Sequence, residues 1–198
     1  MIHAPRLSSL VLAATLALVV ATLAYAAANT AVAAEGWGPS QGTTLPDGLT
    51  ASTPDGRTVA LGELSATGNG LVVAFVRSAD WCPFCKRQLI ELSQRHADFA
   101  ERGLTLVSIS YDSPGVLKAF TQEFNIAFPL LSDPDSAVID AFGIRNKSHK
   151  KGTSGYGIPH PGIMFFDTSG TLRASFAEKS YKDRPRIDDV LAVIDANL

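Results

Sequence analysis

Cysteine is scarce in this 198-residue chain: there are only two, Cys82 and Cys85. Two cysteines cannot build a disulfide framework. The loop between them is so short that cross-linking it stabilises by only about 2 kcal/mol in the chain-entropy model. A structural zinc site is not expected either, since it wants four ligands and no second cysteine pair exists. Haem attachment fails because Lys86 follows Cys85 where a histidine would be needed. Charge of one sign is also lacking: the formal net charge is -2 and the pI is near 6.1. No concentrated basic surface is announced, so nucleic acid is not an expected partner. Arg145, Lys147, Lys150 and Lys151 read as a solvated basic loop. No internal repeat is visible.

What is present is a chain long enough for one domain with a core, 46% hydrophobic and 18% charged. Arg6 precedes an apolar stretch, residues 7–28, and Ala-x-Ala sites follow at Ala24-Tyr25-Ala26 and Ala31-Val32-Ala33. This pattern predicts a secretory signal peptide over residues 1–33, with an uncleaved membrane anchor as the alternative. Either way the domain is expected to be exported, periplasmic or extracytoplasmic, where a neighbouring thiol pair stays oxidised unless something reduces it. Residues 34–44 are Gly-rich and polar and read as a linker, with the folded domain over 45–198.

Thr53-Pro54-Asp55-Gly56 is a strong turn signal, predicting a small hairpin from the segments on either side. Leu71 to Val76 is a continuous apolar run, as in a strand covered on both faces. Past the cysteines, Leu89, Leu92, His96 and Phe99 recur at helical spacing, predicting a helix to about Arg102 with His96 packed on its apolar face. Leu104 to Ser110 reads as a second strand. Asp112-Ser113-Pro114 then starts a helix running to about Asn125. A short extended piece at 128–131, a brief helix from Asp133 or Pro134 to Gly143, a long loop at 144–159, a hairpin at 163–176 and a closing helix over 186–197 complete the order. The alternation predicts an α/β fold with a central mixed sheet, helices on both faces and an N-terminal hairpin.

The two cysteines therefore lie between a buried strand and a helix, in Asp80-Trp81-Cys82-Pro83-Phe84-Cys85-Lys86. Orphan N–H groups and the positive end of the helix dipole favour thiolate over thiol there. Lowering a thiol pKa from about 8.5 to about 7 raises the thiolate fraction at pH 7 from a few per cent to roughly half. The chemistry indicated is thiol–disulfide exchange or peroxide reduction. A Cys-x-x-Cys beside a βαβ pattern is a thioredoxin-like signal.

Four pieces of the chain resemble the thioredoxin fold, and within it the redoxin group of alkyl hydroperoxide reductase and thiol-specific antioxidant (peroxiredoxin-like) proteins. They are 49–61 as an N-terminal hairpin, 73–85 as strand and active site, Tyr156-Gly157-Ile158-Pro159-His160-Pro161-Gly162 as the cis-proline loop, and 165–170 as the hairpin after it. Resemblance to thioredoxins implies Cys82 as attacking thiol, Cys85 as resolving thiol and Pro161 as a cis-proline facing them, with His160, Trp81 and Pro83 able to touch substrate. Resemblance to peroxiredoxins implies the opposite register, with Pro83-Phe84-Cys85 ending the motif and Cys85 reacting with peroxide. Those enzymes carry Thr or Ser three residues before that cysteine and Pro four before that; Cys82 and Ser78 stand there in this chain. No arginine stands beside Pro161, leaving Arg145 or Arg173 as substitutes.

The expected function is an exported thiol-disulfide oxidoreductase. A thiol peroxidase with Cys85 as peroxidatic residue is one alternative. A Cu(I) carrier using both thiolates with His149 or His160 is another. The implied partners are a protein disulfide or a peroxide as substrate and a membrane-linked or exported thiol reductant; no cofactor and no resident metal are expected.

Overall fold

A computed structural model describes residues 36–198, so the signal peptide or anchor expected over residues 1–33 lies outside the described residues. The chain runs β1 (Thr50–Ser52), β2 (Thr58–Ala60), α1 (Leu61–Ser65), β3 (Leu71–Phe75), α2 (Pro83–Gln94), α3 (His96–Ala100), β4 (Thr105–Ser110), α4 (Pro114–Phe124), β5 (Leu130–Ser132), α5 (Ala137–Ala141), β6 (Gly162–Phe166), β7 (Leu172–Phe176) and α6 (Ile187–Asp195). The strands form one seven-stranded sheet in the order β2-β1-β5-β4-β3-β6-β7. β3, β4 and β5 are mutually parallel; β6 joins β3 antiparallel, β7 joins β6 antiparallel, and the β1–β2 hairpin joins β5 antiparallel. This is the mixed α/β sheet with an N-terminal hairpin that the sequence predicts.

β3 is the central strand of the site. All five of its residues are buried, because both faces are covered, and that is why its sequence does not alternate. Phe75 packs edge-on to Phe142, and Phe142 in turn against Phe166, within a core that includes Leu61, Val107, Ile109 and Leu131. Full burial of one such side chain contributes about 2 kcal/mol of transfer free energy. β3 can start where it does because residue 70 is glycine. Its φ is +127°, and a Cβ there would lie 2.3 Å from the Phe166 carbonyl oxygen.

Three local outcomes differ from the sequence reading. The helix after the cysteines does not continue to Arg102: Arg95 leaves helical geometry (φ -99°, ψ 10°), α2 ends and α3 begins at His96. His96 stacks on Phe128. A short helix, α1, follows β2 directly. The third outcome concerns 36–44, which is tied to the domain: Gly42 N–H donates to the Leu172 carbonyl, Leu172 N–H to Thr43, and Leu45 N–H to Gly170, each at 2.8 Å. Trp37 packs edge-on against Phe75. Its ring occupies the space above Gly162, where a Cβ would come within 2.5 Å of the indole.

Candidate active site

Cys82 and Cys85 sit at the β3–α2 corner, joined as a disulfide with their Cα atoms 5.2 Å apart. Cys82 is the N-cap of α2, and its Sγ accepts the Cys85 N–H at 3.2 Å, the place a Ser or Asp oxygen takes in an ordinary cap. Pro83 follows at the first helical position, exposed, where its missing N–H costs nothing. Both cysteines are inaccessible, at 1% and 0% exposure.

The two sulfurs differ in their donors. Cys85 Sγ accepts the Arg77 backbone N–H at 3.3 Å and an Arg184 guanidinium N–H at 3.2 Å. Arg184 is held in turn by the Gln88 side-chain oxygen at 2.6 Å and by the carbonyls of Tyr181 and Asp183. Burial, with Arg77 and Arg87 nearby, pushes the Arg184 pKa down to about 10, so it remains a cation at neutral pH.

The approach to the helix is fixed by a buried carboxylate. Asp112 accepts the Ser78 hydroxyl (2.8 Å), the Ala79 N–H (2.7 Å) and the Ser110 hydroxyl (2.9 Å). Ser78 Oγ then accepts the N–H groups of Asp80 and Trp81. The turn leading into Cys82 is therefore satisfied without helix or sheet ladders. Asp112 is not part of the α4 cap; Ser113 supplies that, accepting the Val116 N–H.

Trp81 is 42% exposed, so it is a wall of the site and not core. Its indole N–H donates to the Tyr111 hydroxyl at 2.9 Å. The Arg77 guanidinium lies 4.9 Å from the Trp81 ring and 4.4 Å from the Tyr181 ring. Tyr181 also packs edge-on to Phe84. Arg77 and His149 line two neighbouring cavities. One, of about 500 Å³, is bordered by Trp37, His160, Pro161 and Tyr181; the other, of about 620 Å³, by Trp81, Tyr111 and Ile158. His160 is exposed at the surface, but neighbouring atoms partly desolvate its ring, and that, with the Arg77 charge beside it, lowers its pKa. Its carbonyl accepts the Trp37 indole N–H at 3.1 Å.

One expectation from the thioredoxin resemblance is corrected. Pro161 is buried at the start of β6, but among the described residues every peptide bond is trans, this one included. The preceding residue is anchored on both sides, by His160 N–H to the Ile144 carbonyl at 2.7 Å and by Trp37. Those contacts add to the ordinary trans preference of about 0.5–1 kcal/mol. The substitutes considered for the missing arginine are corrected too: Arg145 pairs with Asp140 and stacks on Tyr156, and Arg173 pairs with Asp167. Arg184 is instead the arginine whose guanidinium reaches the cysteine pair. Nothing in its local sequence signals that, since it reaches Cys85 across 99 positions. Among the described residues no three His, Cys, Asp or Glu side chains group as metal ligands while the cysteines are joined as a disulfide.

A redox-active cysteine pair at a helix N-terminus, at the end of a buried strand in this sheet, defines a thioredoxin-like thiol oxidoreductase. The pattern of the AhpC/TSA family matches residues 42–175, and the chain belongs to that family. Rv2521 of Mycobacterium tuberculosis, named as a peroxiredoxin, is 34% identical over 115 residues, covering 58% of this chain and 68% of its own. The thiol-disulfide oxidoreductase ResA of Halalkalibacterium halodurans is 27% identical over 92 residues, 46% of this chain and 50% of its own. Among solved structures, the peroxidoxin BcpB of Mycobacterium tuberculosis superposes with a TM-score of 0.66 at 25% identity, covering 79% of this chain and 96% of that one. The bacterioferritin comigratory protein of Xanthomonas campestris gives 0.67 at 22%, covering 80% and 99%, a likeness of fold.

Proposed function

We propose that this enzyme is a thiol peroxidase in which Cys85 attacks peroxide and Cys82 resolves the product. The observation that carries the reading is the pair of donors on Cys85 Sγ, the Arg77 N–H and the Arg184 guanidinium. On reduction these would face a Cys85 thiolate and favour it over the thiol. The same guanidinium can donate to the peroxide oxygens as charge develops on the leaving one. The thiolate attacks the terminal oxygen, which stays on sulfur with its hydrogen; the O–O bond breaks, and the other oxygen takes a proton from solvent and leaves as water or an alcohol. Cys85 is then a sulfenic acid. The Cys82 sulfur attacks that of Cys85 as its thiol proton passes to the departing hydroxyl; the S–O bond breaks, water leaves, and the Cys82–Cys85 disulfide forms. An external thiol reductant returns two electrons. The apolar stretch 7–28 with its Ala-x-Ala sites supports placing this cycle outside the cytosol.

Disulfide reduction with Cys82 attacking first is the second reading, favoured by Cys82 being the helix N-cap with a backbone N–H on its sulfur. Stopped-flow oxidation of the reduced protein by hydrogen peroxide, followed by Trp fluorescence, separates the two. The peroxidase reading expects fast oxidation in wild type and Cys82→Ser, and none in Cys85→Ser. Slow oxidation in all three, with insulin disulfide reduction lost in Cys82→Ser, would establish the second.

A further inference from the structure

We propose that the cavity of about 620 Å³ beside Trp81 is a binding site for the carboxylate-bearing body of an organic hydroperoxide. This rests on the peroxidase reading and adds to it a preference for substrates that carry a carboxylate. The cavity's size suits a small molecule. Its walls divide into two kinds. Trp81, Tyr111 and Ile158 give an aromatic and aliphatic surface, while Arg77, His149 and Lys150 give nitrogen donors; no carboxylate lines it. The neighbouring cavity differs in being bordered by Glu178.

Arg77 is the anchor of the argument. Its guanidinium rests between the Trp81 and Tyr181 rings. Among the described residues it makes no ion pair, whereas Arg57, Arg95, Arg102, Arg145, Arg173 and Arg186 all have a carboxylate. Stacking fixes the plane of an arginine without consuming its donors, leaving the fork open to a carboxylate. Lys150 brings a second cation from the loop over 144–159, the one member of its basic run that borders the cavity. The site also lies next to the chemistry. Arg77's own N–H is on Cys85 Sγ, and Trp81 immediately precedes Cys82. A ligand with its carboxylate on Arg77 and Lys150 and its apolar body on Trp81 and Tyr111 would carry a hydroperoxide toward Cys85. There the O–O bond breaks, oxygen passes to sulfur, and the alcohol leaves.

The test uses one body with and without its charge. Binding of 4-isopropylbenzoate and of its methyl ester to the oxidised protein is measured by Trp fluorescence. Oxidation of the reduced protein is then timed with 4-carboxycumene hydroperoxide, cumene hydroperoxide and hydrogen peroxide. The expected result is about tenfold tighter binding of the acid than the ester, and about tenfold faster reaction of the carboxylated hydroperoxide than its parent. Both ratios fall toward one in Arg77→Gln and in Lys150→Gln, the latter on an exposed loop where folding is not at stake. Equal binding of acid and ester, or a preference that survives both substitutions, overturns the proposal while leaving hydrogen peroxide reduction standing. Selective acid binding with no reaction of any peroxide overturns the peroxidase reading, and the substrate assignment falls with it.

Discussion

The arginines around the two ends of α2 are treated in opposite ways. At the far end, Arg95 is shared between Asp98 and Asp188, and Arg102 clasps Asp195 at 2.6 Å, tying α3 to the closing helix α6. At the cysteine end, Arg77, Arg87 and Arg184 have no carboxylate partner among the described residues. Arg77 rests on Trp81 and Tyr181, Arg87 on Phe84, and Arg184 on carbonyl oxygens, Gln88 and Cys85. The paired set is half-exposed and neutralised. The unpaired set is positioned by ring faces and neutral acceptors, which hold a guanidinium in place while leaving its field uncancelled. Burying a cation and clustering it with others has a cost, visible in the Arg184 pKa, which burial first and then Arg77 and Arg87 lower. The benefit is a positive potential that only a thiolate or an incoming anion can satisfy.

Three substitutions bear on that contrast. Arg184→Gln removes the charge from Cys85 and is expected to slow peroxide reduction by about 100-fold, the cost of losing one donor to developing oxyanion charge. A rate within threefold of wild type, on protein with an unchanged circular dichroism spectrum, would show that the uncancelled charge has no catalytic part. Asp112→Ala tests the buried carboxylate at this corner, which braces the backbone and not an arginine. It strands the Ser78 and Ser110 hydroxyls and the Ala79 N–H, and should cost about 3 kcal/mol in urea unfolding. Asp195→Asn breaks an exposed pair at the far end and should cost under about 1 kcal/mol in the same titration, with peroxide kinetics unaltered. A larger loss there would mean that the paired arginines matter more to the fold than their exposure implies.

The parts legible in the sequence were those written locally. β3 announced itself by five consecutive apolar residues, the β1–β2 hairpin by Thr53-Pro54-Asp55-Gly56, and the cysteines by their spacing at a helix start. Arg184, Asp112 and Trp37 were not legible as site residues. Arg184 lies in an irregular segment between β7 and α6 with no periodicity to place it. Asp112 stands in an Asp-Ser-Pro run that looks like a helix cap, yet its carboxylate points to the loop after β3. Trp37 sits among glycines that read as a linker, and only the missing side chain at Gly162 shows where its ring belongs. Each of these contacts joins distant positions, and sequence periodicity reports only on neighbours.

The disulfide of Cys82 and Cys85 spans the cap and first turn of α2, and the helix is intact with that bond closed. A peroxidase built this way need not unwind a helix to bring its second thiol to the first. In the proposed cycle the sulfenic acid faces a race between Cys82 and another molecule of oxidant, and further oxidation to sulfinic acid would end turnover. A resolving thiol already one turn away shortens the interval in which that race can be lost. In that cycle the placement of two sulfur atoms would double as a defence of the catalyst against its own substrate, most valuable when peroxide is abundant.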